Sequence, residues 1–331
     1  MLQIDMRCPV CQGHDFFAVA GVFDDRYGEP NSYHLARCTI CDHVATAPRL
    51  RDSDLPTLYG TYYPRKKIVA EDVANDAAKA RHLFSSLVRW WSGTSNQGQF
   101  GVRVGETMLD VGCGSGASLL EAKALGAIAF GVEADPNVKP IAAALGLNIH
   151  FGCVEDRPFP EQSFDLIVMN QVIEHLPDPD ISLRTLSERM TSSGRMVIVF
   201  PNTASLWRLL FGDRWINWHI PYHLHHFDRR SFERMARHCG LEVVCARTIT
   251  PNVWTLQQLR ASRYLPKRGR PSPIWTVANR SDSATGNVSN NNLFRKVLRL
   301  GALSVLAFVN RVVDALGMGD SLLVELRRSK R

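Results

Sequence analysis

From residue 101 onward the apolar positions come in short bursts that alternate between two periods. Met108 to Val111 is a brief apolar run, Ala117 to Leu125 repeats at helical spacing, Ala129 to Glu133 is apolar again, and Pro136 to Leu145 returns to the helical period. A short strand near Ile149, the buried strand "FDLIVMN" (Phe164 to Asn170), a helix from Ile181 to Met190 and the strand "RMVIVF" (Arg195 to Phe200) continue the alternation. Strands apolar along their whole length, separated by helices, predict an α/β fold: a doubly wound, Rossmann-like, mostly parallel sheet covered on both faces. The pattern closes with a helix "SFERMARHCG" stopped by Gly240, a strand "LEVVCARTI", an apolar helix from Leu293 to Leu316 with a narrow polar stripe, and a last strand "SLLVELRR".

Upstream the pattern changes. Leu50 to Gly101 opens on the Pro/Tyr-rich "LYGTYYPRKK", turns helical through Ala77, Ala80, Leu83, Phe84, Leu87, Val88 and Trp91, and ends in the joint "SGTSNQGQ". Before it stand two knuckles, "CPVC" (Cys8, Cys11) and "CTIC" (Cys38, Cys41). Two CxxC pairs offer the four thiolates of a closed structural Zn²⁺ site, so a small zinc-ribbon-like module is expected, with His14, His34 and His43 as surface polar groups. The expected division is a zinc module over 1–60, a helical linker over 61–100, the Rossmann-like core over 101–250, a basic insertion over 251–319 whose segment 251–292 reads as loop, and the core's final strand over 320–331.

"LDVGCGSG" (Leu109 to Gly116) sits at a strand-to-helix turn, where glycines let the backbone approach a ligand. "GCGSGA" also satisfies a dinucleotide pattern, so an NAD-dependent oxidoreductase is the enzyme rival. Asp110, two residues before the first glycine, would oppose a pyrophosphate but suits a ligand carrying an ammonium and a sulfonium. Glu133 ends the second strand, where its two oxygens can accept from both ribose hydroxyls. Polar groups of "NQVIEHLPDP" fall at the carboxyl edge of the sheet, where ligands of open α/β sheets bind.

"MLDVGCGSG", "GVEADP", "PFPEQSFDLIVMNQVIEHLPDP", "SGRMVIVFPN" and the closing antiparallel strand together resemble the motif series of class I S-adenosylmethionine-dependent methyltransferases. Within them the chain is similar to the group of ubiquinone-biosynthesis and bacterial sugar methyltransferases, some of which carry an N-terminal four-cysteine module. The resemblance covers residues 101–250 and 320–331 and implies an antiparallel last strand. It further implies that Gly112, Cys113, Gly114 and Gly116 line the methionine end of S-adenosylmethionine through their backbone. Glu133, followed by Ala134, holds the ribose, and Asn170 and Gln171 lie beside the sulfonium. Where many relatives have an Asp that reads the adenine, this chain has Cys153; Glu155, Asp156 or backbone alone must take that task.

Methyl transfer is an in-line displacement that mainly needs an aligned, desolvated nucleophile, and a hydroxyl acceptor also needs a base. His175 in "IEHLPDP" is the first choice, with His223 or His226 as substitutes; the alternative is that His175 caps the following loop while Glu174 is merely solvated. In "WINWHIPYHLHHFD" (Trp215 to Asp228) four histidines alternate with aromatics. The favoured reading is an acceptor-pocket wall; a packed structural loop and a metal site are the alternatives.

Composition then narrows the partners. The chain of 331 residues is formally +7, and residues 251–331 hold 14 of its 39 basic but 4 of its 32 acidic side chains. That excess suggests a phosphate-bearing acceptor such as a nucleotide- or lipid-linked sugar, or peripheral contact with an anionic membrane, but the favoured reading is a plain lid helix packed on the sheet with solvated charges around it. An RNA methyltransferase or nucleic-acid-binding protein is the rival class, but the acidic residues among Arg7, Arg26 and Arg37 leave the zinc region without a cationic face. A non-catalytic cofactor-binding scaffold is the third. With no secretory signal or membrane span in the sequence, a cytoplasmic protein is expected, at most peripheral at the inner membrane surface.

Overall fold

The computed structural model describes residues 2–50, 53–64, 69–79, 85–94, 101–275 and 293–329. The central sheet has seven strands. β5 (Thr107–Val111), β6 (Ile128–Glu133), β7 (Asn148–Phe151), β8 (Phe164–Asn170) and β9 (Met190–Pro201) are parallel, and β12 (Ser321–Arg328) runs antiparallel between β9 and β11 (Leu241–Ile249). The order β11-β12-β9-β8-β5-β6-β7 reverses direction between β5 and β8, so a crevice opens at their carboxyl ends. Met108, Leu109 and Val111 on β5 and Leu166 to Met169 on β8 are all buried, as a sheet covered on both faces requires. Helices α4 (Ala117–Ala124), α5 (Lys139–Ala144), α6 (Pro179–Glu188) and α8 (Arg229–His238) make the connections. The predicted core is observed, with strand and helix ends moved by a few residues.

The cysteine-bearing region is a second sheet: β1 (Gln3–Asp5), β2 (Asp15–Phe23), β3 (Ser32–Cys38) and β4 (Val44–Ala47). Its fifth strand, β10 (His225–His226), comes from the far end of the chain and pairs antiparallel with β4. The module is therefore completed by residues of the core. Arg7 fastens it further, donating to Asp178 at 3.0 Å and to Asp180 at 2.5 Å, and Arg49 reaches Asp178 at 2.6 Å. His238 of α8 sends Nδ1–H to the Val10 carbonyl at 2.7 Å. His43 is not a surface group: it is buried, with Nε2 3.2 Å from His225 Nδ1, because β10 closes over it.

Between the sheets lie α1 (Leu55–Thr61), α2 (Ala70–Lys79) and α3 (Ser85–Ser92). Ala80, Leu83 and Phe84 of the expected helix fall outside the described residues, as does most of the expected joint. Two short helices were not anticipated: α7 (Leu206–Phe211), and α9 (Asn252–Ala261) inside the stretch read as loop. α9 forms because Thr255 and Gln258 are buried, Gln258 accepting from Ile216 N at 2.8 Å and donating to the Arg214 carbonyl at 2.9 Å. Residues 276–292 lie outside the described set. α10 (Leu293–Ala315) packs on β11 and α3, pinned by Arg311 to Asp314 at 2.8 Å and to the Trp90 and Thr250 carbonyls. Among the described residues no helix is long and apolar enough to cross a membrane.

Candidate active site

The glycine loop leaves β5 at the crevice. Asp110 is buried, accepts from Ser118 Oγ on α4, and burial lifts its carboxyl to about 7. Gly112 sits at φ +71°, and a Cβ there would run into Val172 Cγ2 on the next crossover, so no other residue fits that turn. At Gly114 the space is open, and its N–H donates to Glu133 Oε2 at 2.7 Å while Asp135 N donates to Oε1 at 2.8 Å. Two backbone donors thus aim the Glu133 carboxylate and leave each oxygen a lone pair for a ligand. Gly116, left-handed, caps α4.

Other predicted cofactor residues fall into place unevenly. The Cys113 side chain turns into the core against Leu119 and Gly131, so only its backbone faces the loop. Ala134 is exposed on the turn after Glu133. Glu155 accepts from Ser182 Oγ at 2.5 Å. Asp156 accepts from Cys153 N at 2.8 Å and meets His150 Nε2 at 2.9 Å, and the His150 contact leads in holding its carboxyl below the ordinary value. Asn170 ends β8 opposite Val199 of β9, one residue past the Val111–Met169 pair, and its buried Oδ1 has no hydrogen-bond partner among the described residues. Gln171 follows at φ +57°, with N–H to Val199 O at 2.8 Å. An open cradle at Gly114, a carboxylate with spare acceptors and an orphaned amide oxygen suit a ligand with hydroxyl and ammonium donors, as S-adenosylmethionine has.

The opposite wall is built from Glu174 and the histidines. His175 Nδ1 lies 2.9 Å from the Tyr222 carbonyl and 3.0 Å from the Tyr59 hydroxyl; a carbonyl only accepts, so Nδ1 carries the proton and the Nε2 lone pair is free. His223 repeats this, with Nδ1 2.8 Å from the Asn217 carbonyl and Nε2 3.9 Å from Glu174 Oε1. Glu174 is not solvated: it is 1% exposed, and neither carboxylate oxygen has a hydrogen-bond partner among the described residues. Burial pushes its carboxyl up to about 8 and the His175 ring down to about 4, so both are neutral at neutral pH. Tyr222 packs edge to face with Tyr59 and Tyr63, which are tilted against each other, with ring centroids 5.2 to 5.4 Å apart.

His226 stands apart. Its Nε2 meets Thr46 Oγ1 at 3.0 Å within the β4–β10 pairing, because strand formation commits the ring to the module. His225 is likewise committed, to His43 and the Pro177 carbonyl. Trp215 and Trp218 are buried, their indoles donating to Asp320 Oδ1 and the Gly212 carbonyl, both at 2.9 Å, and together with His219 and Ile220 they line a cavity shared with Asp25, Tyr264 and Trp275. Sequence reasoning missed Glu174, Tyr59 and the Tyr222 carbonyl as site groups; the signals were the carboxylate beside His175 and the tyrosines of "LYGTYY".

In the module, Cys8, Cys11, Cys38 and Cys41 converge, with Cys8 Sγ 3.5 Å from Cys41 Sγ and Cys11 Sγ 3.6 Å from Cys38 Sγ. Each knuckle is followed by a left-handed residue, Gln12 and Asp42, which turns its second thiol back. A tetrahedron of Zn–S bonds near 2.3 Å has edges of about 3.8 Å, which these separations approach. The contact with Cys8 pulls the Cys41 thiol down to about 5 and drives that of Cys8 up.

The sheet order, the reversed β12, the glycine cradle and the Glu133 carboxylate define a class I S-adenosylmethionine-dependent methyltransferase. The chain belongs to the family described as a methyltransferase domain, which it matches over residues 77–246. It is similar to a ubiquinone biosynthesis O-methyltransferase of Sinorhizobium fredii, 23% identical over 184 residues that make up 50% of this chain and 74% of the relative. That of Cereibacter sphaeroides is 28% identical over 38% of this chain and 54% of the relative. Ajmaline N-methyltransferase of Rauvolfia serpentina is 35% identical over 28% and 34%. A solved S-adenosylmethionine-dependent methyltransferase from Archaeoglobus fulgidus overlaps with a TM-score of 0.43 at 16% identity, covering 77% of this chain and 94% of its own.

Proposed function

We propose that the protein methylates a hydroxyl of a small-molecule, sugar or lipid-linked acceptor, with the hydroxyl proton received at His175. One juxtaposition carries this reading: Val172, packed behind Gly112, leads within three residues to Glu174 and His175, so the cofactor cradle and the neutral Glu174–His175 pair share one edge of the sheet. When bound, S-adenosylmethionine supplies an electrophilic methyl group on a sulfonium. The backbone of Gly112 and Gly114 and the ionised form of Asp110 hold its amino-acid end, Glu133 accepts from the ribose hydroxyls, and Asn170 Oδ1 takes a donor beside the sulfonium. Adenine recognition falls to Glu155, Asp156 or their backbone, and a side-chain role would require exchange of a bond that each already makes. The Tyr222 carbonyl fixes the His175 tautomer, so that Nε2 can accept, and Tyr59, Tyr63 and Tyr222 keep water from the acceptor. His223 is the substitute base; His226, held by Thr46, is not. The names of the ubiquinone O-methyltransferase relatives favour O-methylation of a small molecule. Single-turnover methyl transfer by His175→Ala across pH tests the base: a rate loss of about 100-fold or more is expected, and a rate and profile like the parent's would contradict it.

The four cysteines we assign to a structural zinc ion that holds the module, and through Arg7 the segment carrying Asp178 and Asp180, against the site. One observation favours a lipid-linked acceptor: α3 and α10, packed together, expose Leu87, Val88, Trp90, Val305 and Phe308. Exposed apolar side chains on a helix of the basic C-terminal part and on the helix packed against it fit the surface of an anionic membrane. Flotation with anionic liposomes at low salt should carry the protein upward; protein left unbound would contradict surface contact.

A further inference from the structure

We infer that Glu174, His175 and His223 form a second metal site, for a divalent transition cation, distinct from the four cysteines. One donor atom from each of the three residues lies within 4.8 Å of the other two. The donor set, two imidazoles and one carboxylate, is the kind that holds Zn²⁺, Fe²⁺, Co²⁺ or Mn²⁺ with a coordination position left over.

Three further observations point the same way. Both Glu174 oxygens are buried and without a hydrogen-bond partner among the described residues, an arrangement that is unfavourable unless a proton or a cation compensates it. Both rings spend Nδ1–H on backbone carbonyls, of Tyr222 and Asn217, which orients the ring and leaves Nε2 as a donor toward a metal. The backbone holds the two ligand segments together, since Leu224 N donates to the Glu174 carbonyl at 2.7 Å and the Thr46 hydroxyl donates to the His223 carbonyl at 2.6 Å. A tetrahedral site with bonds near 2.0 to 2.1 Å needs donors about 3.4 Å apart. The present 3.9 Å from His223 Nε2 to Glu174 Oε1 is a short contraction away. His219, whose buried Nε2 has no hydrogen-bond partner among the described residues, packs against His223 with ring centroids 4.9 Å apart. His175 is the least buried of the three.

This inference rests on the reading above and excludes one part of it: a His175 whose Nε2 holds a cation cannot also receive the acceptor's proton. The test is made on the full chain, stripped of metal and reloaded with Co²⁺, by elemental analysis and absorption spectroscopy. Two equivalents per chain are expected, one with the intense sulfur-to-cobalt charge-transfer bands of the cysteine site and one with weaker bands and no charge transfer. Glu174→Gln and His223→Ala should each lose the second equivalent and keep the thiolate bands, which also report that the module remains folded. A parent protein that takes up only the thiolate-bound equivalent overturns the inference, as does a second equivalent that survives both substitutions. Calorimetric titration of the same samples with S-adenosylhomocysteine keeps the two readings apart: cofactor binding without the second metal removes only the metal site, and metal without cofactor binding removes the methyl-transfer reading.

Discussion

Glu133 and Glu174 are both carboxylates at the carboxyl edge of one sheet, and the chain treats them in opposite ways. Glu133 is partly open and aimed by two backbone donors; Glu174 is sealed among histidines and tyrosines, with no hydrogen bond to either oxygen among the described residues. The first is a receptor prepared for hydroxyl groups. The second is a buried acid that stays neutral or waits for a cation, and under the proposed reading proton chemistry belongs to the histidine side of the cleft and ligand recognition to the glycine side.

The sharpest way to break this contrast is at the glycine loop. Gly112→Val should weaken S-adenosylhomocysteine binding by about 100-fold or more, because a side chain at φ +71° costs about 1–3 kcal/mol before its overlap with Val172 is counted, and each 1.4 kcal/mol is tenfold. Titration calorimetry reads it; near-parental affinity would mean that the ligand does not use this turn.

Glu174→Gln should do the reverse. Single-turnover methyl transfer is expected to fall by about 100-fold with S-adenosylhomocysteine affinity changed by less than about threefold, a split between chemistry and cofactor binding. Equal loss in both would place Glu174 in the cofactor cradle. On the other wall, Glu133→Gln should cost about tenfold in affinity, the worth of a charge-assisted hydrogen bond.

The smallest effect is in stability. Burial raises Asp110 from 3.8 to about 7 and Asp320 to about 6, so the folded chain keeps protons that the unfolded chain releases above about pH 4. Their stabilisation is fully present below that pH and is lost as pH rises through 6 and 7, by about 1.4 kcal/mol per pH unit for each group. Asp110→Asn should therefore make the decline in Tm between about pH 5 and pH 7 shallower; a slope like the parent's would show that Asp110 ionises freely in the fold.

The cofactor side was legible in the sequence because its parts are local. A strand, a glycine turn and a helix follow one another within eighteen residues, and Glu133 ends the next strand, so period and spacing were enough to place them. The four cysteines were legible for the same reason. The histidine side was not, since His175 and His223 are 48 residues apart and meet only because β10 joins the cysteine-bearing sheet. That pairing decides which histidines remain available: His225 and His226 are consumed by the strand, while His223, two residues earlier, is left to face Glu174. Composition misjudged the start of the basic insertion, where buried Thr255 and Gln258 make a helix out of a sequence of weak period.

The most direct test is calorimetric titration of the full chain with S-adenosylhomocysteine and, separately, with NAD. Saturable one-to-one binding of S-adenosylhomocysteine and no heat from NAD are predicted. Binding of NAD with none of S-adenosylhomocysteine would contradict the assignment of the glycine loop and with it the methyltransferase chemistry.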